Sequence, residues 1–178
     1  MRFYPAEAPV PVELHTDEML LRMLRATDNP LDYDAVMASQ AMLLVHSGGT
    51  WPIDGFSPTD NLHDLEEHER DHVARTAFTF TVMNLDESQC LGCAYIKPLD
   101  RLLIRQQASA DVLTRVGDDA AAVTFWVRQS RVADDLDRRL LAALLGWFQR
   151  AWAFQRVAFR ADATETRQVE ILRDAGLA

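Results

Sequence analysis

The sequence predicts an α/β fold with a mixed central sheet flanked by helices, and three observations carry that reading. Val123–Val127 is a β-branched and aromatic run of buried-strand type. It leads through a short loop into Asp135–Ala151, where leucines and aromatics recur at helical spacing. Phe78–Asn84 alternates, Leu85–Ser88 reads as a turn, and Gln89–Lys97 supplies the antiparallel partner of a hairpin. Helical stretches lie between these strands and a first strand near the N-terminus, so the two element types are interspersed along the chain.

The proline-rich start reads as a loose arm, residues 1–17, before a single domain over residues 18–178. Met19–Leu24 is the first strand, and Asn29-Pro30 marks a turn. From Leu31 to about Leu44 the apolar spacing is helical, with Asp32 available as a cap. Ser47–Phe56 is a glycine-rich aromatic loop. Ser57-Pro58-Thr59 then opens a helix that runs to about Arg75. Asp100–Asp119 is polar surface, holding either a short helix around Ser109–Arg115 or an irregular excursion. A strand at Val157–Arg160 and a helix from Thr164 to Asp174, ended by Ala175-Gly176, complete the order.

A net charge of −9 and a pI near 4.9 argue against nucleic acid or anionic membrane as partners. Lys97 is the only lysine, a bias of the kind a GC-rich bacterial genome produces. No run approaches the roughly 20 apolar residues of a membrane span, and the first residues are acidic and proline-rich instead of leader-like. The expectation is a soluble, cytoplasmic protein.

Three local patterns bear on chemistry. Cys90 and Cys93 form C-L-G-C, but in a strand residues three apart face opposite sides, which disfavours a redox or zinc pair. His68 to His72 spells H-E-x-x-H, a zinc-hydrolase signature that lacks its usual extension here; the plainer reading is a solvated helix with surface histidines and no metal. By helical angle Leu62, Leu65, Glu69 and Val73 share the buried stripe. An acid there must either find a cation such as Arg22 or carry a raised pKa, which would suit a general base toward an amine. Trp51, Asp54 and Phe56 in the aromatic loop are either a pocket wall with a cation contact or anchors to the core.

Element order, together with LLRML followed by DYDAVMAS, the hairpin ending LGCAYIKP, and VTFWVR before the long helix, resembles the GNAT family of N-acetyltransferases over about residues 18–177. The resemblance implies a GNAT-like acyl-CoA N-acyltransferase fold, with acetyl-CoA lying at Val127 and Arg128 and over Arg131, Val132 and Ala133 before the long helix. It also places the Ser47–Phe56 loop at the acceptor cleft. In the family pattern Q/R-x-x-G-x-G/A, bare backbone N–H groups receive the diphosphate. Here Asp134, Asp135 and Asp137 crowd that turn. Either Arg128, Arg131, Arg138 and Arg139 serve the phosphates, or the acids, with Asp134 as N-cap, leave a self-capped helix. Glu165 and Leu172 stand where many members carry Asn and Tyr. The implied function is acetyl transfer to a small-molecule or peptide amine with Glu69 as base. The alternative is a non-catalytic GNAT-like scaffold that binds or dimerises. The sequence stops before the strand that usually follows, so an open sheet edge would be offered to a second copy in a homodimer.

Overall fold

Six strands form one sheet in chain order, β1 (Glu13–His15), β2 (Leu20–Met23), β3 (Phe78–Met83), β4 (Cys90–Pro98), β5 (Ala120–Val127) and β6 (Arg156–Phe159). The structure is a computed structural model that describes residues 3–117 and 119–177; residue 118, inside the polar segment, lies outside them. All neighbours are antiparallel except β5 and β6, which the helix α6 (Leu136–Ala151) connects as a parallel crossover. The mixed sheet anticipated from the sequence is therefore present.

Alternation along the strands separates two cores. Phe78, Phe80 and Val82 of β3 and Ala121, Val123 and Phe125 of β5 face α6 and the last helix, α7 (Thr166–Asp174). Met83, Cys93 and Trp126 face α1 (Asn29–Met37), α2 (Gln40–His46) and α3 (Pro58–Ala74). On α6, Leu136, Leu140, Leu141, Leu144, Trp147 and Phe148 are buried, one stripe of an amphipathic helix. At the start of α3 a capping box closes the first turn: Ser57 Oγ accepts from Asp60 N at 3.2 Å and Asp60 Oδ2 accepts from Ser57 N at 2.9 Å.

Several expectations are corrected. The residues at the start are no loose arm: Phe3 and Tyr4 are buried among Phe78, Trp152 and Phe154. The Tyr4 hydroxyl accepts from Ala153 N at 3.0 Å and donates to Pro9 O at 3.2 Å. A proline-rich composition suggested weak order, and one ring with a satisfied hydroxyl overrides it. The single helix expected over Leu31–Leu44 breaks at Ser39, whose hydroxyl accepts at 3.0 Å from Gln129 N, just beyond the end of β5. The polar segment holds two short helices, α4 (Leu99–Arg105) and α5 (Ala110–Val116), with Ser109 capping the second.

Cys90 and Cys93 do not face opposite sides; both lie, reduced, in the α1–α3 core. The β3–β4 register slips between Val82↔Gly92 and Met83↔Cys90, so Leu91 is an extra residue, and this β-bulge flips the parity that strict alternation assumes. The stripe on α3 also differs, being Asn61, Leu65 and His72, while Val73 is exposed. His72 is accordingly a core residue, with Nδ1 3.2 Å from Thr79 O and its ring edge-on to Phe78 and Phe80. Among the described residues no helix is long and apolar enough to cross a membrane.

Candidate functional site

Strand β5 outruns its parallel neighbour. The ladder with β6 ends at Val123↔Phe159, and β5 continues to Val127, which leaves the β6-facing side of its last turn of pleat unpaired by that strand. A cavity opens on each side of this splayed end.

The first cavity, about 380 Å³, lies beside α1, α3 and the aromatic loop, and its wall includes Trp51, His68, Tyr95, Thr124 and Trp126. The second, about 330 Å³ and mostly apolar, is lined by Val45, Phe125, Val127, Val132 and the N-terminal turn of α7. His46, Trp126 and Glu165 border both. His46 Nδ1 sits 2.6 Å from Glu165 Oε1, joining the end of α2 to the start of α7 at the junction. Glu165 is itself fixed, because its Oε2 accepts from Asp162 N at 2.7 Å.

The floor of the first cavity is polar and buried. Asn61 Nδ2 donates to Asp32 Oδ2 at 2.9 Å and to Asn29 Oδ1 at 3.0 Å. Asp32 sits inside α1 and so is no cap. Burial pushes its carboxyl up to about 6, against the lowering effect of the Asn61 bond. Burial likewise pushes the His68 imidazole down to about 4, with the Lys97 charge adding to it, so a neutral ring faces the cleft at neutral pH. An acid whose folded pKa is raised favours the fold below its ordinary value of 3.8, and that preference is lost as pH rises through about 6. Asp32→Asn is therefore expected to stabilise the protein by about 1–3 kcal/mol at neutral pH. The gain should vanish toward pH of about 4. Urea unfolding of both proteins at the two pH values measures it, and equal stabilities at neutral pH would refute the buried charge.

The turn before α6 is filled from within the chain. Asp135, at the N-cap, has φ of 57°, the left-handed conformation that glycine adopts freely and Asp tolerates. Arg167, from the first turn of α7, donates through Nε to Asp137 Oδ2 at 2.5 Å and through Nη2 to Asp137 Oδ1 and Asp135 Oδ1, both at 2.8 Å, and to Val132 O at 3.1 Å. Asp137 is buried and also accepts from Arg138 N at 2.9 Å. An anion thus already occupies the positive end of the α6 dipole.

Of the residues expected to hold a cofactor, Val127 and Val132 line the second cavity. Arg128 has Nη1 2.7 Å from Asp34 Oδ2, an ion pair too poorly aligned to count as a hydrogen bond. Arg131 pairs with Asp134 at 3.0 Å, and Ala133 is exposed in the turn. Arg138 bonds Asp174 and Glu170, and Arg139 bonds Glu18 and Asp134 O. Each of the four arginines is therefore engaged by an acid. Asp134 does not cap α6 through its side chain.

Trp51 lines the first cavity and donates Nε1 to Asp64 Oδ2 at 3.1 Å. Phe56 packs on Trp51 and Tyr33 behind it, and Asp54 is exposed outside both cavities. Glu69 is a correction. Its Oε2 accepts from Ala26 N at 2.9 Å, capping the 3-10 turn Ala26–Asp28, and it borders neither cavity. Arg22 goes instead to Asp28 and Glu87. Leu172 is core. Among the described residues no three His, Cys, Asp or Glu side chains converge to hold a metal ion. Sequence reasoning missed His46, Asp32, Asn61 and Arg167. The signal for Asn61 was present, since it stands one helical turn before Leu65 on the same face.

The fold is the GNAT fold of solved acetyltransferases. A putative ribosomal-protein-serine acetyltransferase from Vibrio cholerae superposes with a TM-score of 0.68 at 16% identity, over 92% of this chain and 82% of that one. RimJ from Mycobacterium smegmatis, in complex with CoA-disulfide, gives 0.67 at 16% identity over 97% and 77%. The microcin C7 self-immunity acetyltransferase MccE, in complex with acetyl-CoA and AMP, gives 0.69 at 10% identity over 90% and 79%. No protein-family model and no curated protein sequence matches the chain.

Proposed function

We propose that the protein is an acyl-CoA-dependent N-acyltransferase that modifies an amine held in the first cavity. The observation that carries this reading is the meeting of two cavities at the His46–Glu165 pair beside the unpaired end of β5. The second cavity, lined by Val127, Val132 and Phe125, suits the apolar arm and thioester end of the donor. The thioester supplies an activated acyl group. The amine nitrogen attacks the thioester carbonyl while His46, oriented by Glu165, takes its proton; the carbon–sulfur bond breaks and CoA leaves as the thiolate, which takes a proton from solvent, and the neighbouring backbone of β5 positions the donor.

The diphosphate end does not fit as well. Asp137 and Arg167 fill the place where backbone N–H groups would receive it. That filled turn favours a second reading, a scaffold with GNAT architecture that binds or dimerises without turnover. One measurement separates them. At hundredfold excess over its dissociation constant, acetyl-CoA is expected to add about 2.7 kcal/mol. For a chain of this size that is a rise in Tm of about 5–10 °C. No shift with either acetyl-CoA or CoA at millimolar concentration would leave the scaffold reading standing alone.

A further inference from the structure

The floor of the first cavity holds two acceptors without an adequate donor. Asn61 is fully buried, both hydrogens of its amide are committed to Asn29 and Asp32, and its Oδ1 has no hydrogen-bond partner. Turning the amide over would set nitrogen toward nothing and oxygen against two acceptors, so the orientation is fixed by its neighbours. Asp32, 4% exposed, takes part in no ion pair among the described residues. Its Oδ1 meets only the Cys90 thiol, at 4.0 Å. A buried carboxylate and a buried bare carbonyl each cost stability while unpaired, and an ammonium group, with several N–H donors and a positive charge, would suit both.

The walls agree with that requirement. Trp51, Tyr95 and Trp126 offer aromatic surface to a cation. Five carboxylates line the cavity against two basic side chains, Lys97 and Arg160. The volume, about 380 Å³, suits a small molecule instead of a folded partner. His46, where the reacting amine would lose its proton, lines both cavities whereas Asp32 lines the first alone, so a cation at Asp32 is distinct from the reacting group.

We propose that Asp32 and Asn61 form an anchoring subsite for a primary ammonium group, and that the acceptor is a small aliphatic di- or polyamine, held by one amine while another is presented to His46. This assignment builds on the acyltransferase reading, yet its test needs no acyl donor, so the two fail separately. The full chain is titrated by calorimetry with cadaverine and with pentanediol, a neutral molecule of the same shape, at pH about 8 so that Asp32 is ionised. Cadaverine should bind saturably at one site and the diol should not. Asp32→Asn should weaken cadaverine at least roughly tenfold, the usual loss for a charged hydrogen bond. Equal binding to both proteins, or none to the wild type at millimolar concentration, would overturn the assignment. A wild-type crystal grown with cadaverine gives a check free of any folding question. An ammonium nitrogen at about 3 Å from Asp32 and Asn61 supports the subsite, and a diamine seated elsewhere refutes it.

Discussion

Gly92→Ala is expected to destabilise the protein by about 3 kcal/mol or more, which for a chain of this length lowers Tm by about 6–12 °C. Gly92 is the residue that closes the β4 bulge, at φ of 155°. A Cβ built there falls 2.1 Å from Trp126 O and 2.9 Å from Val127 Cα, both backbone atoms of β5. No rotamer change relieves such an approach, so the strand must move. The movement would fall on the end of β5 that separates the two cavities, next to the bond from Arg128 N to Leu91 O. Alanine should therefore weaken acetyl-CoA binding as well as the fold. Guanidinium unfolding and the ligand-induced Tm shift are the two readouts, and a variant of wild-type stability would show that the close approach relaxes at no cost.

The second large effect concerns turnover. His46→Gln should lower kcat/KM for acyl transfer by about 10²–10⁴, the usual contribution of a positioned general base. Glu165→Gln keeps the shape while removing the charge that holds Nδ1, and should cost less. Thiol release at saturating donor measures both. If His46→Gln turns over at the wild-type rate, the base lies elsewhere on the cleft wall.

Much of the fold was legible because its signals are local. The β5–α6–β6 unit declares itself through a β-branched run, a leucine stripe and a second apolar strand, and the hairpin through alternation around a turn. The failures came where tertiary contacts outweighed composition. Tyr4 is anchored by Ala153, 149 residues away, and no feature of a proline-rich start announces that. The bulge at Leu91 changed which face Cys93 occupies, and a pattern of two assumes no extra residue. Trp51, Val127 and Val132, named from the loop and the strand end, do line the two cavities. Glu69 misled because an acid on an apolar stripe has more than one explanation, and capping a 3-10 turn was the one realised. His46 and Glu165, 119 positions apart, acquire meaning only once α2 and α7 meet.

Helix α7 joins the His46–Glu165 junction to the turn before α6. Glu165 leads into it and steadies His46, while Arg167, two residues on, clamps Asp135 and Asp137. Any ligand that competes for Arg167 therefore pulls on the same half-turn of backbone that aims the imidazole. Coupling of this kind is reciprocal: whatever free energy the donor loop spends loosening α7 is felt at His46, and an acceptor that tightens the His46–Glu165 pair raises the cost of opening the loop by the same amount.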